Sequence, residues 1–163
     1  MQLPDEAVDE YASRLVEVLE RYGVVLQKLA PTEPIEIVQA DDGSLGFELI
    51  GSLPDGREPA LSTLEVRERF RPVTADIFER DRYEYELIEH ERDFRRAFHL
   101  HDPAWFEERY LVVVHEHCER PIATAPWDHY QAPPIRDGYA GVVALIDAWT
   151  GEPPDCSLLL CLD

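Results

Sequence analysis

Asparagine is absent from this chain, and lysine occurs once, as Lys28, among fourteen arginines. Both residues have AT-rich codons, so the pattern fits a GC-rich genome. It also fits adaptation to brine, in which acidic, lysine-poor surfaces stay hydrated. Positive charge is scarce as a whole: 15 Lys+Arg stand against 34 Asp+Glu, a formal net charge of −19. Such a deficit opposes binding to a nucleic-acid backbone at moderate salt, because that affinity comes from Lys and Arg displacing counterions. In molar salt the Debye length falls to roughly 3 Å, so an RNA partner is expected to be favoured there.

Other absences narrow the field further. The three cysteines, Cys118, Cys156 and Cys161, form no C-x-x-C pair and no second cluster of metal-ligand spacing. Such a set is expected of reduced, structural residues in a reducing compartment. No apolar run approaches the roughly 18 residues of a membrane span. The N-terminus, Met-Gln-Leu-Pro-Asp-Glu-Ala, has no basic region leading into an apolar one. The expectation is a soluble, cytoplasmic protein with no membrane partner. The chain also lacks a Gly-rich phosphate loop, a G-x-S-x-G elbow and an H-E-x-x-H helix, which argues against nucleotide binding, serine hydrolysis and zincin chemistry.

What is present is enough for a core. Hydrophobic residues make up 45% and aromatic residues 10% of 163 positions, the composition of one folded domain spanning 1–163. Val8, Ala12, Leu15, Val18, Leu19 and Tyr22 recur at helical spacing and predict a helix that Gly23 ends. Ile35–Ala40 and Leu45–Gly51 flank Asp41-Asp42-Gly43-Ser44 and predict a hairpin. Leu64–Phe70 predicts a further strand, and Asp76–Arg80 a helical turn. Tyr83–Leu87, Phe94–His101 and Tyr110–His117 alternate with period two and predict a meander. Ala123–Pro134, with three prolines, predicts a loop. Asp137 predicts the cap of a last helix whose stripe is Val142, Leu145, Ile146 and Trp149. The apolar tail 157–162 predicts an edge strand or an oligomer contact, compatible with a homodimer. The fold class expected is α+β: an antiparallel sheet of about six or seven strands with an N-terminal and a C-terminal helix. Within that domain, 1–72 holds the first helix and hairpin, and 73–163 the histidine-rich meander and last helix.

All six histidines lie between His90 and His129. His99/His101 and His115/His117 are i, i+2 pairs, so each pair presents two imidazoles to one side of its strand. If the register between the two strands has an even sum, as with 99 opposite 115, the pairs share a face; if odd, they do not. Three readings compete. Neutral imidazoles at His99, His101, His115 and His117 suit a transition metal such as zinc. Alternatively, histidines act as general acid and base in phosphodiester cleavage, with Arg95, Arg96 or Arg109 holding the phosphate. The third reading is partly buried strand residues satisfied by neighbouring carboxylates, the whole serving as a non-catalytic acidic interaction module. Eight of the fourteen arginines lie between Arg67 and Arg96, among nine acids. That local balance suits either a phosphate site or salt-bridged strand faces.

From Tyr83 to Trp149 the order of features resembles the TumE-type toxins of prokaryotic toxin–antitoxin systems. The shared outline is a Tyr-x-Tyr strand (Tyr83, Tyr85), an arginine-bearing strand running into a histidine-rich turn (Arg96, His99, His101, Asp102, Pro103), an H-x-H strand (His115, His117) and a closing helix (Val142–Trp149). This chain departs from the family in splitting the turn histidines around Leu100 and placing them before Pro103. The resemblance implies a ribonuclease that needs no cofactor and is restrained by an antitoxin. His99, His101 and His117 would then be acid and base, and Arg96 the phosphate clamp.

Overall fold

The computed structural model describes residues 1–27, 35–54, 61–100, 108–109, 114–122 and 128–162. The strands are β1 (Gln2–Pro4), β2 (Val25–Leu26), β3 (Val38–Gln39), β4 (Leu45–Ser52), β5 (Ser62–Pro72), β6 (Ile77–Glu89), β7 (Phe94–Leu100), β8 (Val114–Glu119) and β9 (Tyr130–Gln131). Two helices, α1 (Asp5–Arg21) and α2 (Gly138–Thr150), flank the sheet in sequence, and a 3-10 turn covers Cys156–Leu158. The sheet is antiparallel throughout, in the order β2-β4-β5-β6-β7-β8-β9, with β1 added beside β6 and β3 beside β4. The fold is therefore α+β, as the patterning implied, with two-residue strands extending the sheet at its edges. No described helix is long and apolar enough to cross a membrane.

Local chemistry sets the boundaries. Helix α1 ends in a Schellman motif: Val24 N–H bonds Leu19 O at 3.0 Å, Gly23 N–H bonds Glu20 O at 2.9 Å, and Gly23 takes a φ of +79°. The turn before β4 is held by Asp42, whose carboxylate accepts from Ser44 N–H at 2.9 Å. Asp137 caps α2 by accepting from Ala140 N–H at 2.9 Å. At the other end Arg92 donates to the carbonyls of Ala148, Trp149 and Gly151, placing a cation on the negative end of the helix dipole.

Alternation sorts the sheet into two unlike faces. Burial in β4 and β6 switches at nearly every residue, which is the period-two signature of a half-covered strand. Both helices cover one face. From α1, Tyr11 packs on Phe47 and Phe70. From α2, Gly141 sits so close to the Tyr85 ring that a Cβ there would lie 2.5 Å from it. Val8, Leu15, Leu19, Leu64, Val66, Leu87, Phe94, Val142 and Leu145 fill the space between. The opposite face is a ladder of ion pairs: Arg67 with Glu48, Glu65 and Glu84, Arg69 with Asp81, and Arg95 with Glu86 and Glu119.

Three sequence expectations are corrected. Residues Ile77–Arg80 are not a helical turn but the start of β6, because β1 supplies a distant partner (Leu3↔Phe78) that local periodicity cannot reveal. The Ala123–Pro134 stretch contains β9, paired as Glu116↔Tyr130 and His115↔Gln131. The tail is a 3-10 turn followed by a single bridge, Tyr130↔Cys161, and it leaves Leu158 and Leu160 exposed.

The helix-covered side holds a polar cluster around Glu68. Glu68 Oε1 accepts from Tyr11 and Tyr85 hydroxyls and from Arg80, which also reaches the Ile135 carbonyl. The Tyr11 hydroxyl in turn accepts from Gly138 N–H at 2.6 Å, which ties α1, β5 and the start of α2 together. Glu68 Oε2 is buried without a hydrogen bond. Burial pushes the Glu68 carboxyl above its ordinary value, against the pull of Arg80 and the two tyrosines. Removing one partner of a buried pair strands the other, at about 3–5 kcal/mol. Glu68→Leu and Arg80→Met are each expected to destabilise by that amount, and the double variant by less than their sum. Urea unfolding followed by tryptophan fluorescence measures this, and additive costs would show that the two do not act as a unit.

Candidate metal centre

The site is built by strand register. β7 and β8 pair as His99↔His115 and Ala97↔His117, an even sum. His99, His115 and His117 therefore share a face, and it is the one opposite the helices, since Phe98 and Cys118 between them belong to the core. Gln131 of β9 lies opposite His115. His129, two residues before Gln131, joins the same group: its ring centre is 5.1 Å from that of His115 and 4.7 Å from that of His117.

The three strand histidines are buried, at 6% (His99), 1% (His115) and 2% (His117) exposure. Their ring centres are 5.2, 4.8 and 5.1 Å apart, and one ligand nitrogen from each lies within 4.8 Å of the others. Imidazoles radiating tetrahedrally from one zinc-sized ion, with metal–nitrogen distances of about 2.0 Å, place their ring centres about 5 Å apart. The ring spacings among His99, His115 and His117, and those of His129 from His115 and His117, match that arrangement.

Orientation is also set. His117 Nδ1 lies 2.9 Å from the Asp128 carbonyl, so Nδ1–H donates there and Nε2 keeps its lone pair for the cluster. A backbone acceptor behind a ligand imidazole is the usual means of fixing its tautomer and aim. Burial pushes the half-buried His129 below its ordinary pKa; Asp128 opposes this, and the positive charge of Arg109 adds to it. A lowered pKa favours the neutral, ligand-competent ring. The nearest carboxylates along the face are engaged elsewhere: Glu84, opposite His99, pairs with Arg67, and Glu119 with Arg95.

The structure brings together His99, His115 and His117 from the residues singled out in the sequence. His101 lies outside the described residues, with Asp102, Pro103 and the 110–113 start of the third meander strand. His90 is exposed at the turn after β6. Arg96 does not join the cluster. It points to the helix-covered side, bonds Glu116 at 2.9 and 3.3 Å and lies over the Phe98 ring at 4.9 Å. An arginine so placed cannot clamp an anion held by His99 or His117 through the sheet. Arg95 is on the histidine face but lies between Glu86 and Glu119. His129 escaped the sequence reading because its neighbourhood carries the prolines of a loop; the one signal was an H-Y-Q run of strand-compatible residues after Asp128.

The cysteines depart from expectation. Cys118 and Cys156, expected as reduced thiols, are joined in a disulfide with Cα atoms 5.5 Å apart, and Cys161 is exposed outside it. The bridge anchors the tail that holds the His129 segment: Leu162 N–H bonds the His129 carbonyl at 2.7 Å, and Gln131 N–H bonds that of Leu160 at 2.9 Å. Comparisons of the chain with family models, curated proteins and solved structures gave no match. Function is therefore argued from the site's own chemistry.

A crosslink across a separation of 38 residues removes chain entropy equivalent to about 4 kcal/mol on the loop-closure estimate. The Cys118→Ala/Cys156→Ala variant is expected to lose about 2–4 kcal/mol and to lose the dependence of its melting temperature on reductant. Thermal unfolding with and without reductant checks this, and a parent protein indifferent to reductant would count against a structural bridge.

Proposed function

We propose that this protein binds a divalent transition metal, zinc being the reference case, through His99, His115 and His117, with His129 as fourth ligand. The observation that carries the reading is the convergence of three buried imidazoles from two rigid strands, with ligand nitrogens within 4.8 Å of one another. A nitrogen-only ligand set suits zinc, nickel, copper or iron better than calcium or magnesium. Bound there, such an ion would act as a Lewis acid toward an oxygen-bearing ligand approaching beside His129, the least buried of the four.

A second reading follows the TumE-type resemblance: a ribonuclease restrained by a protein antitoxin and independent of metal. It is favoured by one observation, the cationic Arg109 acting on His129. On this reading His129 and Arg109, rather than the more buried histidines, would meet RNA.

Elemental analysis of untagged protein is expected to find close to one equivalent of zinc, nickel, copper or iron. The His115→Ala/His117→Ala variant should lose it while keeping a parent-like circular dichroism spectrum. Protein that stays metal-free after incubation with zinc and cobalt would overturn the metal reading. RNA cleavage in chelator, at low and at molar salt and abolished by His129→Ala, would establish the second in its place.

A further inference from the structure

The ion-paired face carries a second feature, one strand away from the histidines. The register between β5 and β6 runs Arg69↔Arg82 and then Phe70↔Arg80, so Asp81 is an inserted residue. A bulge of this kind re-aims side chains locally. Here it lets Asp81 take the Arg69 guanidinium in a bidentate ion pair at 3.0 and 2.6 Å, and Arg82 is left with no acid bonded to it among the described residues. Arg82 is half-buried, and its Nε is buried without a hydrogen-bond partner. A half-buried guanidinium that no acid among the described residues engages is a place kept open for an acid from outside.

The surroundings are shaped for one. Arg82 lines a concavity of about 430 Å³ with Arg67, Arg69, Glu48, Glu84 and Gly46, a volume within the range of small-molecule sites, about 300–1,000 Å³. The two glutamates are engaged by Arg67. Gly46 opens the space. Its φ is not positive, and a Cβ there would meet just the Glu68 carbonyl at 3.4 Å. Backbone conformation therefore does not demand glycine at 46, whereas an open concavity does.

We propose that this concavity binds the oxyanion group, carboxylate or phosphate, of a small molecule, with Arg82 as the principal donor. A planar guanidinium presents parallel N–H groups that match the paired oxygens of either anion. Arg67 and Arg69 are held by Glu48, Glu65, Glu84 and Asp81, so recognition rests on the Arg82 fork. The net charge of −19 acts against a polyanion, which would span the surrounding acidic surface, far more than against a small ion bound to Arg82 alone. The site is independent of the metal centre, although it shares its face: Glu84 lies two residues from Arg82 along β6 and opposite His99.

The test is thermal stabilisation and calorimetric titration of the metal-stripped full chain with inorganic phosphate and with succinate, each against chloride at equal ionic strength. Saturable stabilisation by one or both anions is expected, weakened at least tenfold in Arg82→Gln and in Gly46→Leu. Arg82→Gln should itself unfold like the parent, since no side chain among the described residues bonds the Arg82 guanidinium. Stabilisation no greater than that by chloride, or equal in the parent and in Arg82→Gln, would overturn the proposal. Preference for one anion over the other would name the source of the group. Metal content, measured separately on Arg82→Gln, keeps a failure here distinct from a failure of the metal reading.

Discussion

The pairing of β7 with β8 at His99↔His115 decides what each face of the sheet can do. A strand's side chains alternate strictly, so a slip of one residue would send the three imidazoles into the helix-covered core and bring Phe98 and Cys118 outward. That exchange would replace apolar core with polar rings and expose an aromatic, and the burial of Phe94, Phe98 and Cys118 under the helices opposes it. The register that assembles the histidines is thus held by residues on the other side of the sheet.

The two faces draw on different physics. The helix-covered face is stabilised by apolar burial, at roughly 25 cal/mol per Å², and it tolerates charge at a few engaged positions such as the Glu68–Arg80 pair and Arg96–Glu116. The opposite face is a lattice of ion pairs, half-exposed around Arg67 and Arg69, where each is worth about 0–1 kcal/mol, and buried around Arg95. Such a lattice adds little stability, but it fixes which charges remain available. Among the described residues Arg67 pairs with Glu48, Glu65 and Glu84, Arg69 with Asp81 and Arg95 with Glu86 and Glu119, and Arg82 is passed over because a bulge shifts its neighbour.

Much of the scaffold was legible in the residues. Helical spacing in 5–22, the Gly23 stop, the Asp137 cap and the period-two runs are local signals, and local hydrogen bonding and burial honour them. The histidine face was legible as a conditional, because alternation defines each H-x-H pair, while the loop joining the strands does not fix their register. Parity also carried information about Arg96: it is three residues from His99 on one strand, an odd spacing that places the two on opposite faces. What the sequence could not show are the distant pairings. β1 on β6 joins segments far apart in the chain, the bulge at Asp81 is a register shift inside the β5–β6 hairpin that periodicity does not report, and β9 on β8 pairs across a proline-bearing stretch and brings in His129.

His129 also shows how the C-terminal segment enters the site. β9 is two residues long, too short to hold a side chain by sheet pairing alone. Its position is reinforced from the outer edge by the hydrogen bonds of Leu160 and Leu162, and that tail is fastened to β8 through Cys118, the residue after His117. One strand therefore supplies two imidazoles on one face and, on the other, the sulfur that secures the segment carrying the fourth. Because the anchor and two of the histidines are adjacent on β8, a change that frees the tail acts on His129 first and leaves His99, His115 and His117 in their register. The cluster thus divides into three histidines fixed by the sheet and one whose placement depends on the covalent tie behind it.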